Sequence, residues 1–370
     1  MISRFLLNRR TFFIYFALTL IIVIGLYCRF YYVLNVEFFD YYNGTEFSQN
    51  EYYFIKMTKN ILDHYHYGYF EVPDAGVMPG YPIFLAIIMM VFGTESTGVF
   101  AVRVLQVLIS TGTILLVYLL TIKILKNRGA GLFAATLIAF YPPLILYSRF
   151  ILTETIYIFF VIFYFMIQLS ALEKRESSFH IGAGVLLGIS VLFRPMIFVL
   201  LPLPYTYMFI ANKEQMERLY VLKNFAFFIF SFAVVIFPWW VRNMISLDRF
   251  VLFSEYNRHL DLNFRTIFAK LEILFVESAY YLPDSYTFLS DITGALHMYI
   301  IALGSVGLIG GLFNKKLRLF SIYICFYIML SLLFVPSARY GLQYIPFLTI
   351  FAVYAMFKVF KTAKVRGERQ

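Results

Sequence analysis

Apolar segments of about the length of a membrane span alternate with short polar segments along most of the 370-residue chain. A helix needs about 20 apolar residues to cross the hydrocarbon core of a bilayer. Arg194-Pro195 interrupts one long apolar stretch, and because proline disfavours helix at the residue before it, we expect an outer-side turn there. The pattern predicts roughly ten spans, at 11–33, 99–123, 130–147, 151–172, 181–194, 196–212, 224–241, 296–313, 319–336 and 341–360.

Two long polar loops separate these predicted spans, at about 34–98 and 243–295. The first loop contains an amphipathic stretch at 50–62 and then Pro79-Gly80-Tyr81-Pro82, which opens an apolar helix too short to span. Both helices are expected to lie at the membrane interface. We therefore predict an all-α polytopic membrane protein, with residues 1–370 forming a single membrane domain and no separate soluble domain.

The charges agree with a membrane protein and give it an orientation. Hydrophobic residues make up 61% of the chain and charged residues 14%, against roughly 25% charged in soluble proteins. If the N-terminus is cytoplasmic, the inner segments hold 19 of the 31 Lys and Arg but 5 of the 21 acids. The positive-inside rule therefore predicts both termini on the cytoplasmic face. The lack of a large soluble domain and the compact tail favour a bacterial cell (inner) membrane. The net charge of +10 is explained without nucleic acid.

Five arginines lie at the predicted outer ends of different spans. Guanidinium groups bind phosphate bidentately, so arginines that converge on one face form a phosphate site. The structural alternative is that each arginine reaches the lipid headgroups or pairs with a loop acid. These residues are Arg103, Arg149, Arg194, Arg242 and Arg339.

Acidic residues of the first loop are candidates for a general base, which would remove the proton of an incoming hydroxyl. Composition cannot select one of them. The histidines do not show the compact spacing that is typical of metal ligands, and Cys28 and Cys325 lie inside apolar runs. The first-loop acids are Glu37, Asp40, Glu46, Glu51, Asp63, Glu71 and Asp74.

Seven motifs occur in the same order as in one known family, and the similarity runs from Arg29 to about Phe360. They are NEYYFIKMTKNIL, PGYPIFLAIIMMVFG, AVRVLQVLISTGTILLVYLLTIKIL, GAGLFAATLIAFYPPLILYSRFILTETIYIFF, GVLLGISVLFRPMIFVLLPLP, PWWVRNMISLDRFVLFS and SARYGLQYIPF. Together they are similar to the GT-C fold membrane glycosyltransferases of the dolichyl-phosphate-mannose–protein mannosyltransferase type, whose bacterial members include lipid A aminoarabinose transferases. The resemblance implies a GT-C helical bundle and an inverting sugar transfer on the outer face.

The donor in that family is a sugar on a polyprenyl phosphate, and the acceptor is a hydroxyl of a lipid, glycan or protein. The resemblance implies that Arg339, in an Arg-Tyr motif with Tyr340, contacts the donor phosphate. It leaves a divalent metal ion open as a cofactor. Further implied donor-phosphate residues are Arg194, Arg103 and Arg242, and implied site-shaping residues are Glu154, Asp74 and Tyr81.

One position departs from the family's pattern. Asn50 stands where an aspartate is usual, and an amide cannot accept the acceptor's proton. Either Glu51 serves as the base, or Asp40 does, or the chain lacks this chemistry. Two other functions stay open: a transporter or flippase of a lipid-linked glycan, which would also need arginines for a phosphate, and a non-catalytic subunit of envelope glycan assembly, which Asn50 motivates.

Overall fold

A computed structural model describes residues 2–35, 46–174, 176–211, 214–254, 266–276, 287–332 and 338–367. Two 3₁₀ segments, Pro195–Leu200 and Ala338–Tyr344, accompany the α-helices of this part of the chain. The helices are α1 Ile2–Asn35, α2 Glu46–His64, α3 Gly80–Phe92, α4 Ser96–Leu125, α5 Arg128–Ala139, α6 Pro142–Tyr147, α7 Glu154–Glu173, α8 Ser177–Phe193, α9 Leu203–Ala211, α10 Gln215–Leu247, α11 Ile267–Phe275, α12 Thr287–Leu312, α13 Arg318–Ser331 and α14 Ile345–Gly367.

The predicted all-α polytopic architecture is confirmed. Within the described residues, six helical segments are long and apolar enough to cross a membrane: Thr11–Leu34, Ser96–Leu125, Glu154–Glu173, Gln215–Leu247, Thr293–Leu312 and Arg339–Lys358. Shorter apolar segments occur at Gly80–Phe92, Arg128–Ala139, Ser177–Phe193, Pro195–Ala211 and Arg318–Ser331. The chain is thus a multi-pass membrane protein, and the count of ten spans stays a prediction.

The predicted helix at 130–147 is wrong in one respect, because it is divided into α5 and α6. The sequence there is Ala139-Phe140-Tyr141-Pro142-Pro143. Proline lacks a backbone N–H and disfavours helix at the preceding residue, whereas it is well accepted in a first helical turn. α5 consequently ends at Ala139 and α6 begins at Pro142.

The predicted break at Arg194-Pro195 is present. α8 ends at Phe193, and Arg194 has extended backbone angles, φ −148° and ψ 115°. The chain continues as a 3₁₀ segment and only then as α9. The same preference of pre-proline residues for extended conformations therefore places the Arg194 side chain at a helix end.

One compact unit comprises residues 1–32, 110–146 and 261–370. Its most extensive helix pair is α12 with α14. Gly307 lets the two backbones approach closely, since a Cβ atom there would lie 2.0 Å from the carbonyl oxygen of Phe351. Close approach at small residues is a common way for membrane helices to pack without a hydrophobic driving force.

The second unit comprises residues 33–109 and 147–260. α8 packs on both α7 and α10, and Gly184 faces the Phe228 carbonyl in the same close manner. The two helices predicted in the first loop are present as α2 and α3, which pack on each other. Their location at the interface stays a prediction. α11, in the second long loop, was not predicted.

A buried apolar cluster joins α2 and α3 to the first part of α4 and the start of α7. It positions one face of α2 against residues that precede α7. Its fully enclosed members are Ile55, Tyr81, Leu85, Ile88, Met89, Val99, Val102, Ile151 and Ile156.

Candidate active site

The connection between α6 and α7, residues 148–153, organises the polar groups of the second unit. It is not regular helix, so its backbone groups are available to side chains. The amide of Gln106 donates to the carbonyls of Ser148 and Phe150, at 3.2 and 2.7 Å. The Arg103 Nε donates to the Arg149 carbonyl at 3.0 Å. These bonds fix the connection against α4.

Tyr81 belongs to the same network. Its side chain is fully buried, and its hydroxyl donates to Gln106 Oε1 at 2.7 Å. This leaves the Gln106 amide nitrogen to bind the connection, because the oxygen is already occupied. Tyr81 thus contacts this network through Gln106, a residue not predicted from the sequence, and its site-shaping role stays a prediction.

Glu51 lies on α2 and is 8% exposed. Its Oε1 accepts a hydrogen bond from the backbone N–H of Ile151 at 2.7 Å. Burial raises the pKa of the Glu51 carboxyl, while the Ile151 hydrogen bond and the positive charges of Arg103 and Arg149 act in the opposite direction. The carboxyl is thus held beside two arginines, in a setting that suits a proton acceptor whose basicity is enhanced by desolvation.

Asn50 and Asp40 are the other residues considered for the base position. Asn50 precedes Glu51 on α2 and is half-buried. Asp40 lies outside the described residues. Of the two carboxylates that the sequence analysis favoured, Glu51 is therefore the one with a described environment.

A second acid and arginine meet at the start of α7. Arg194 Nη2 contacts Glu154 Oε1 at 2.5 Å, and both side chains are buried. Arg194 Nε donates to the Thr153 hydroxyl at 3.0 Å, and its guanidinium lies 5.5 Å from the centre of the Tyr157 ring. Arg194 and Glu154 therefore form a buried ion pair that ties the end of α8 to the start of α7.

Arg242 and Asp74 hold the loop that follows α2. Arg242 on α10 donates to the carbonyls of Asp74 and Tyr67, at 2.8 and 2.5 Å. The Asp74 carboxylate accepts from the backbone N–H groups of Tyr69 and Gly76, at 2.6 and 2.8 Å. Both residues thus fix the path of the loop, and the site-shaping role expected of Asp74 stays a prediction.

Arg339 and Tyr340 belong to the first unit. They lie in the 3₁₀ segment before α14, half-buried, with the Arg339 guanidinium 5.5 Å from the centre of the Tyr340 ring. This segment packs against α11 and α14. The roles expected of this pair in donor binding stay predictions.

Arg149 is the residue that the resemblance did not assign. It was recognised only as one of five arginines at predicted outer span ends, and it is 6% exposed. Its charge acts on Glu51, and its carbonyl binds Arg103. Its position among apolar residues was the available signal, because a buried arginine needs partners.

Metal ligation needs several His, Cys, Asp or Glu side chains close together. Across the described ranges, no three His, Cys, Asp or Glu side chains come together as a metal site. A divalent ion stays open as a cofactor, and no chemical step is assigned to one.

Known structures have the same fold. With the oligosaccharyltransferase of Archaeoglobus fulgidus, in complex with zinc and sulfate, the TM-score is 0.62 at 16% identity, over 94% of this chain and 50% of that one. With the AglB oligosaccharyltransferase of the same organism, bound to an inhibitory peptide and dolichol-phosphate, it is 0.60 at 14% identity, over 97% and 52%.

A third similar structure is ArnT from Cupriavidus metallidurans bound to undecaprenyl phosphate, with TM-score 0.62, 12% identity and coverage of 92% of this chain and 60% of that one. The fold is thus that of the GT-C membrane glycosyltransferases, as predicted. This chain spans between half and three-fifths of these proteins' lengths.

The sequence of residues 73–241 matches the family described as dolichyl-phosphate-mannose-protein mannosyltransferase. A search of curated proteins finds no significant match. The matched range begins after α2 and ends within α10, so it contains the connection before α7 and the Arg194 helix end but not Glu51 or Arg339.

Proposed function

We propose that this protein is a glycosyltransferase that moves a sugar from a polyprenyl-phosphate donor to a hydroxyl acceptor, with inversion, on the outer face of the membrane. The matched mannosyltransferase family and the fold support the class of enzyme. The dolichol-phosphate and undecaprenyl phosphate bound by AglB and ArnT support the class of donor. The acceptor is a lipid, glycan or protein of the cell envelope.

The observation that carries the proposal is the environment of Glu51. Its Oε1 is oriented by the Ile151 N–H, and no described residue donates a hydrogen bond to Oε2. Oε2 is therefore the atom that we assign to the acceptor hydroxyl. A buried carboxylate with a raised pKa takes a proton more readily than an exposed one.

The reaction follows from these roles. Glu51 removes the proton of the acceptor hydroxyl, and the acceptor oxygen forms a bond to the anomeric carbon from the face opposite the phosphate. The bond between that carbon and the phosphate oxygen breaks, and its electron pair leaves with the polyprenyl phosphate. Cationic groups stabilise the negative charge that develops on the leaving phosphate.

We assign the leaving phosphate to Arg339 with Tyr340, on the sequence motif and on the partial exposure of both side chains. Arg103 and Arg149 are assigned to the charge around Glu51. Arg194 and Arg242 are assigned mainly to structure, since the first already pairs with Glu154 and the second with two loop carbonyls.

The test is transfer by the purified full-length chain, using a cell-envelope lipid extract as donor and acceptor. Glu51→Gln should lower the rate by about two to four orders of magnitude, as expected for loss of a general base. Asp63→Asn is the matched control, because Asp63 is an exposed acid on the same helix. Unchanged transfer by Glu51→Gln would contradict the assignment.

The alternatives give other results in the same preparation. Movement of a lipid-linked glycan across vesicles without any glycosidic product would indicate a transporter or flippase. Absence of product from wild type and from Asn50→Asp, with envelope glycans altered in cells that lack the protein, would indicate a non-catalytic subunit.

The proposed localisation is an inner cell membrane with both termini cytoplasmic. The concentration of Lys and Arg in alternate polar segments supports it. A C-terminal fusion to a reporter that is active only in the cytoplasm should be active. An inactive fusion that is stably inserted would reverse the orientation and, with it, the face on which transfer occurs.

A further inference from the structure

The imidazole of His297 on α12 joins two other elements of the first unit. His297 and Tyr141 are both fully buried. The Tyr141 hydroxyl lies 2.5 Å from His297 Nδ1, and His297 Nε2 lies 2.5 Å from the carbonyl oxygen of Phe275. Tyr141 follows α5, and Phe275 is the last residue of α11. The histidine therefore connects the α5 end to the α11 end.

The two contacts define the proton positions. A carbonyl oxygen only accepts, so His297 Nε2 carries the hydrogen and donates to Phe275. In a neutral imidazole Nδ1 then accepts, and Tyr141 donates to it. The Phe275 contact selects this tautomer, the Tyr141 hydroxyl can donate to it, and the two contacts together fix the orientation of the ring.

α11 in turn packs against the 3₁₀ segment Ala338–Tyr344. The Phe275 ring lies 5.9 Å from the Tyr344 ring, centre to centre. At the middle of α11, the Lys270 ammonium donates to the Leu332 carbonyl at 2.9 Å. The helix whose end is held by His297 thus lies directly against the segment that carries Arg339.

We propose that His297, oriented by Tyr141, is a positioning residue for Arg339: it fixes the end of α11, and α11 supports the segment from which Arg339 binds the donor phosphate. The inference rests on the proposed function of Arg339. It adds two side chains to which the family resemblance gives no role. It also gives α11, in the second long loop, a role in donor binding.

The experiment separates the two contacts of the ring with two amide variants. In His297→Gln the side-chain amide reaches the position of Nε2, so donation to Phe275 is retained. In His297→Asn the amide reaches only the position of Nδ1, so the contact with Tyr141 is retained and that with Phe275 is lost. Tyr141→Phe removes the hydroxyl that orients the ring.

Binding of undecaprenyl phosphate to the full-length protein in nanodiscs is the readout, with the thermal unfolding midpoint measured beside it. We expect His297→Asn to weaken binding by about three- to tenfold, the effect of one hydrogen bond, with Tyr141→Phe intermediate. His297→Gln should bind within about twofold of wild type, because it keeps the hydrogen bond to Phe275. In the His297→Asn/Arg339→Ala double variant, the histidine change should have no further effect.

The outcomes distinguish this inference from the function on which it rests. Arg339→Ala with wild-type affinity overturns the donor-phosphate role of Arg339 and the positioning role together. Weakened binding by Arg339→Ala, with His297→Asn and His297→Gln both at wild-type affinity, overturns the positioning role alone. If His297→Asn and His297→Gln lose affinity equally and unfold at equally lowered midpoints, His297 contributes only to general packing. That result also overturns the positioning role.

Discussion

Glu51 Oε1 accepts a 2.7 Å hydrogen bond from the backbone N–H of Ile151, a residue 100 positions later in the chain. Within an α-helix that N–H would bind the carbonyl four residues before it. The bond forms because residues 148–153 leave the helical path between α6 and α7. An irregular connection thus supplies the group that orients the carboxylate proposed as the catalytic base.

The pH dependence of transfer should reflect the Glu51 carboxyl. Its pKa is raised by burial, so the base is lost as pH falls through a range above that of an ordinary glutamate. Arg149→Ala removes a charge that favours the ionised form, and it should move the acid limb of the kcat/KM profile to still higher pH. An acid limb that is unchanged or moves to lower pH would contradict this.

The same carboxyl affects stability with the opposite sign to that of a salt-bridged acid. Because its pKa is higher in the folded protein, the folded state holds more protons than the unfolded state between the ordinary and the raised pKa. Stability should therefore fall as pH rises through that window. In Glu51→Gln this contribution should be absent, which thermal unfolding across the pH range can measure.

Replacing only one partner of the Glu154–Arg194 ion pair should destabilise the protein. Both side chains are buried, at 2% and 8% exposure. Removing one partner leaves a buried charge, so Arg194→Met or Glu154→Gln should destabilise the protein by about 3–5 kcal/mol. The double variant should recover much of this loss. Two single changes that simply add in denaturant unfolding would show that the residues act independently.

Helix packing between α12 and α14 should depend on Gly307. A Cβ atom at Gly307 would meet the Phe351 carbonyl at 2.0 Å, so Gly307→Ala should cost about 1–3 kcal/mol in unfolding free energy through overpacking. Gly310 on the same helix is the matched control, because a Cβ atom there would meet nothing closer than 3.8 Å. Gly310→Ala should be neutral or stabilise by up to about 1 kcal/mol. Equal effects of the two changes would exclude the close contact as the cause.

Much of the fold could be predicted from apolar length and proline position. The start of α3 at Gly80 and the end of α8 before Arg194-Pro195 follow from local backbone preferences that proline imposes. The apolar pattern predicted a break at 148–150, between the spans 130–147 and 151–172. It could not show that the irregular backbone continues to residue 153, because a continuous apolar run reads the same in helical and irregular backbone.

The contacts of the candidate site residues could not be predicted from the sequence. Arg194 and Arg242 were expected to bind a phosphate, on their charge and their predicted depth. In the structure they contact Glu154, 40 residues away, and loop carbonyls 168 and 175 residues away, and their role toward a phosphate stays a prediction. A single sequence holds no information on such distant pairs, and backbone carbonyls have no side-chain signature at all.

Arg242 should keep the first loop ordered after α2. Its planar guanidinium binds two loop carbonyls at once, and it also lies 5.1 Å from the centre of the Tyr67 ring. Arg242→Lys keeps the charge but cannot reproduce this fork. Amide hydrogen exchange in residues 65–79 should therefore become faster by roughly one to two orders of magnitude, the effect of losing about 1.5–3 kcal/mol of charged hydrogen bonding.

The matched control is Arg249→Ala, since Arg249 is exposed just beyond the end of the same helix. Its exchange pattern in the loop should match wild type. If Arg242→Lys also leaves loop exchange unchanged, then Asp74 and its own backbone contacts are sufficient to hold the loop. Faster exchange together with reduced transfer would instead connect the order of this loop to the Glu51 helix that precedes it.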